Sequence, residues 1–92
     1  MKAEEALRQS TNHQIVADTV RGLITMSRIA TANSSEAEVF RLRFMARDAR
    51  GQLNAEDVVV IGRYDDLDIA VTIAAIGYGV GERQWRPGPV VI

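Results

Sequence analysis

Few residues in this sequence are of a kind that does chemistry, and their spacing limits what each can do. His13 is the single histidine, and there is no cysteine. With one imidazole and no thiolate, the chain has no structural zinc set and no thiol nucleophile. Only carboxylates could complete a metal site around His13. Ser10 lies three residues before it, but a serine nucleophile also needs an oriented base, and nothing here supplies one. Asp65, Asp66 and Asp68 form the densest acidic cluster. Such a cluster could hold a hard cation or move a proton. Calcium loops need more oxygens and a glycine turn at fixed spacing, however, and acids at a helix start are accounted for by capping and the helix dipole. Gly77, Gly79 and Gly81 lack the spacing of a dinucleotide loop, and a Walker loop needs a lysine, of which Lys2 is the only one. No catalytic residue, metal ligand or cofactor is expected.

What remains is the chemistry of contact. Arg41, Arg43, Arg47 and Arg50 crowd one segment with Asp48 as the only acid, and Glu56, Asp57, Asp65, Asp66 and Asp68 crowd the next with Arg63 as the only base. Arginine makes forked, weakly hydrated contacts that suit interfaces. Phe40 and Phe44 interleave with the basic block, as stacking side chains do in single-strand binders. The net charge of −1 gives no long-range pull on nucleic acid or an anionic membrane, so neither is the favoured partner. Trp85 stands between Arg83 and Arg86, either as an interface anchor or as a seal on the chain's own core. The candidate partner-binding residues are Arg43, Arg47, Arg50, Arg83, Trp85 and Arg86.

These residues need elements to hold them. At 92 residues, 47% apolar, the chain suits one domain with one core. Residues 3–7 suggest a short helix. Thr11 with Gln14 matches a capping box, and the apolar residues from Ile15 to Ile29 fit two neighbouring stripes of a helix over about 12–30. Ser35 with Glu38 repeats the box ahead of a helix over 36–49, stopped by Gly51. The same stretch alternates Phe40, Leu42 and Phe44 with Arg41, Arg43 and Met45, which is the period of a strand. Asn54 and Asp65 are two further caps, each flanked by a hydrophobic staple. The second opens a buried helix over 69–76 that stops at Gly77. Residues 31–35 read as a linker. Residues 78–92, with their prolines and glycines, read as a non-helical tail, and Val90, Val91 and Ile92 could add as an edge strand.

The expected architecture is therefore all-α, about four helices with a non-helical tail. The alternative is α+β, one long helix packed on an antiparallel sheet built from 38–47, 58–64 and 68–76. The expected function is that of a small, non-enzymatic interaction or accessory protein, of the kind a bacterium or phage uses as an inhibitor or regulator. It would act on a protein partner and self-associate as a homodimer through its complementary basic and acidic blocks. One alternative is a nucleic-acid-binding regulator using the segment 41–50. A second is a small enzyme with carboxylates gathered from distant positions. With no cysteine, no long apolar run and acids at the N-terminus, the expected location is the cytoplasm.

Overall fold

Segments that carry β-branched and aromatic residues, which favour the pleated backbone, pair into one sheet. A computed structural model describes residues 1–30 and 38–88. Its elements are α1 (Ala3–Gln9), β1 (Gln14–Asp18), β2 (Gly22–Ala30), β3 (Glu38–Arg47), β4 (Leu53–Tyr64), α2 (Leu67–Tyr78) and β5 (Arg86–Pro87). The sheet has the order β4-β3-β2-β1-β5, and every adjacent pair is antiparallel. The fold is α+β. This overturns the all-α expectation, and it differs from the α+β alternative at both ends, because 12–30 holds two strands and 68–76 lies in a helix.

The helix expected over 12–30 fails because both faces of this hairpin are covered. Ile15, Ala17, Ile24 and Met26 point into the main core, while Val16, Leu23, Thr25 and Ser27 are buried on the other face. A strand buried on both sides loses its alternation and matches a helical period by accident. The turn also carries no Asn-Gly or Asp-Gly signal. Thr19 and Gly22 exchange backbone hydrogen bonds, and Val20, assigned by sequence to a buried stripe, stands 95% exposed at the tip. Gly22 is needed for close approach, since a Cβ there would lie 2.2 Å from the Met45 carbonyl oxygen. The Thr11–Gln14 box does not form. Instead Ser10 Oγ and Asn12 Oδ1 accept the Gln14 N–H at the start of β1.

Residues 38–47 take the strand reading. Gly51, expected to stop a helix, closes the β3–β4 turn in a left-handed conformation (φ 78°), and its N–H donates to the Asp48 carbonyl. Asn54 caps no helix. It lies where β4 departs from β3, because β3 moves from Met45 to Arg47 while β4 moves from Val58 to Leu53. The expected Ser35 start and the linker fall outside the described residues, as do Val90, Val91 and Ile92.

Both helices lie on one face. Ala3, Ala6 and Leu7 of α1 and Ala70 and Ala74 of α2 join Ile15, Ile24, Met26, Phe40, Leu42 and Trp85 in the main core. α1 packs against β1 and β5, and α2 against β3 and β4. α2 is the helix the sequence announced, with shifted ends. Its cap is Asp66, whose carboxylate accepts from the Asp68 and Ile69 N–H groups, and its left-handed terminator is Gly79. Among the described residues no helix is long and apolar enough to cross a membrane.

Candidate interaction surface

The predicted site residues are dispersed. Arg47 is a structural tie between hairpins: it pairs with Asp18, and its Nη1 and Nε donate to the Gly51 and Thr19 carbonyls. Arg50 is exposed in the β3–β4 turn, and Arg83 is exposed in the loop before β5. Trp85 is 1% exposed and belongs to the main core. Its indole Nε1 is buried without a hydrogen-bond partner among the described residues. Of the two readings offered for this tryptophan, the structure places it as a seal on its own domain.

Arg43 and Arg86 share the sheet face opposite the helices, since Arg86 pairs with Val16, Val16 with Thr25, and Thr25 with Arg43. Two strands separate them. Arg41 lies on the same face directly across from Arg63, a like-charge pair that costs stability. The Nε atoms of Arg41 and Arg43 are buried without partners among the described residues. Burial, and then the charge of Arg41, lower the pKa of the Arg43 guanidinium from its ordinary value.

A different surface emerges at the β4 edge. The outer side of β4 pairs with no described strand, and Val59 and Val60 on it are 58% and 56% exposed. α2 runs back along this edge. Its start lies three residues after Tyr64, and Tyr78 at its end packs, tilted, on Phe44 with ring centroids 4.9 Å apart; Phe44 is the cross-strand partner of Val59.

The helical period sets which flank of α2 looks outward. Ala70 and Ala74 face the core, while Leu67 and Val71 line a cleft with Lys2, Ala3 and Glu4 of the α1 region. The flank that carries Ile69, Ile73 and Ile76 therefore turns away from α1, toward the β4 edge. Ile69 is 48% and Ile76 82% exposed. Val59 on β4 and Ile69 and Ile76 on α2 form one apolar strip on the helix side, with Val60 beside it on the opposite face of the sheet.

Sequence reasoning missed this strip. One signal was present: beside its Ala70–Ala74 core side α2 carries isoleucines at 69, 73 and 76, and only Asp68 and Thr72 are polar on the rest of its surface, a wider apolar face than a helix covering one side of a sheet requires. Comparisons with known protein families, with curated proteins and with solved structures return no match.

Proposed function

We propose that this chain is an interaction protein rather than an enzyme, and that it engages a protein partner along the β4–α2 edge. The observation that carries this reading is the continuity of the exposed strip with an unpaired strand edge. An open edge offers backbone hydrogen bonds to an incoming strand, and flanking apolar side chains supply the driving force. Exposed aliphatics scattered singly are ordinary, whereas a row of them beside an open edge marks contact. We place this activity in the cytoplasm, in keeping with a sequence that contains no cysteine.

A photo-crosslinking residue at position 60 tests the reading in the expressing cell, with one at Glu5 on the α1 side as control. An adduct from position 60, absent from position 5 and lost with Ile76→Glu, is the expected result. No adduct from position 60 removes the reading.

The nucleic-acid alternative has one observation of its own, the adjacency of Arg41, Arg43 and Arg63 on the sheet face. Its signature would be affinity that falls steeply with salt and disappears in an Arg41/Arg43/Arg63 triple alanine variant. We expect no binding of random DNA or RNA tighter than roughly 10 μM at physiological salt.

A further inference from the structure

We infer that the occupant of this edge is a second copy of the same chain, joined by antiparallel pairing of β4 with β4 and packing of α2 against α2; the inference rests on the edge reading above. A twofold axis perpendicular to the sheet relates two such strands, so both copies keep their helices on one side and the sheet becomes continuous through ten strands. Three observations select this partner.

The first is charge. β4 is acidic at its start, with Glu56 and Asp57, apolar at Val58, Val59 and Val60, and basic toward its end, with Arg63. Antiparallel self-pairing centred on Val59 sets valines against valines. It also brings the acidic end of each strand beside Arg63 of the other. Parallel pairing would instead set like charges together, which disfavours it.

The second is spacing. Strands lie about 4.8 Å apart, and α2 lies over the β3–β4 pair. The twofold therefore sets the two α2 axes about 10 Å apart, close to the roughly 8–10 Å of packed helices. Because Tyr78 at the end of α2 lies on Phe44, the partner of Val59, Ile76 of one helix then faces Ile76 of the other near the axis, and Val59 and Ile76, exposed in the single chain, become buried.

The third is the course of β4. It runs regularly opposite β3 through Val58, Val59 and Val60, with register shifts on both sides. The regular stretch sits at the twofold, where a self-pair needs it. The departure over residues 54–57 carries Glu56 and Asp57, both exposed, at the rim, where they can reach the other copy.

Sedimentation equilibrium from low micromolar to near-millimolar concentration tests the inference on the full chain. A monomer–dimer equilibrium in the micromolar range is expected. Val59→Lys and Ile76→Glu should each abolish it while leaving the circular dichroism spectrum and Trp85 emission unchanged. Arg63→Glu should weaken it at least about tenfold, and adding Glu56→Arg and Asp57→Arg should recover most of that loss. A wild-type monomer throughout, a dimer indifferent to Val59→Lys, or a charge swap that recovers nothing would each overturn the self-pairing. The photo-adduct from position 60 separates the two levels. A covalent dimer supports self-pairing. An adduct with a different protein keeps the edge reading and rejects the second copy.

Discussion

At one edge of the sheet, β5 is two residues long and ends in Pro87, which has no N–H to offer a neighbour. α1 covers that side with Ala3, Ala6 and Leu7 buried and Glu4, Glu5 and Arg8 turned to solvent. At the other edge, β4 is twelve residues long, carries exposed valines, and lies under a helix whose outer flank is isoleucine. Shortness, proline and charge are the devices by which proteins blunt a strand edge against pairing. The first edge uses all three. The second has acids and register shifts toward its ends and none of these devices at its centre. Two edges of one sheet, exposed to the same solvent, differ in that only one is blunted along its whole length.

The strongest way to break this comparison is at the finished edge. Trp85, next to β5, fills the main core together with four other large, fully buried side chains, Ile15, Ile24, Met26 and Leu42, so Trp85→Ala should cost about 3–5 kcal/mol in urea unfolding. Trp85→Phe should cost far less. It keeps most of the apolar volume and removes an indole N–H that is buried without a partner among the described residues, and such a donor carries a desolvation penalty. A loss below about 1 kcal/mol for the alanine variant would mean that this edge is not held by the core.

Gly22 gives the next largest effect. A Cβ at this position would meet a backbone carbonyl at 2.2 Å and the Phe44 ring at 2.8 Å. The ring can shift, whereas the Met45 carbonyl is held in the β2–β3 ladder. Gly22→Ala should cost about 1–3 kcal/mol, in the range of other overpacked sites. An unchanged unfolding midpoint would show that β2 and β3 approach less closely than the structure places them. The hairpin that joins the two edges would then be looser than either.

The start of α2 tests a smaller quantity and separates two residues the sequence could not. Asp66→Ala should cost about 1 kcal/mol through loss of the cap, whereas Asp65→Ala should cost a few tenths at most. Equal effects at both positions would place the helix start differently.

What was legible in the sequence follows the same division between local and distant causes. α2 was legible because caps act within four residues: an aspartate, an apolar run and a glycine mark it out. Its bounds moved because Asp66 rather than Asp65 reaches the free amides, and because the helix continues through Gly77 until Gly79 turns left-handed. β3 was legible as one of two readings, since Phe40 and Leu42 face the core and Arg41 and Arg43 do not. The β1–β2 hairpin was not, because its strands are buried on both faces and its turn, Val20-Arg21, carries residues that mark no turn. The arginine cluster was visible in composition, though the pairing of Arg47 with Asp18 could not be read from spacing; of the two readings of Trp85, the seal on its own core is the one its burial bears out. The apolar edge was the least visible. Val58, Val59 and Val60 look like any core strand, and only the strand order, set by contacts distant in sequence, leaves β4 outermost.

The smallest effect is the one that most sharpens the comparison. Ile76 is 82% exposed on the outer flank of α2, so in a single chain its side chain adds little apolar burial. Ile76→Gln also exchanges a β-branched residue for a better helix former. At concentrations well below the dissociation constant of the proposed dimer, unfolding stability should change by no more than about 0.5 kcal/mol, as for other surface substitutions. Val71→Gln, on the half-buried flank toward α1, should cost clearly more, because a polar amide would replace a side chain packed on the core. As concentration rises the wild type should gain stability by mass action, since a dimer holds only the folded chain. Ile76→Gln should gain none. A wild-type unfolding midpoint that stays flat with concentration, matching the variant at every point, would mean that the β4–α2 edge is as finished as the one bounded by Pro87.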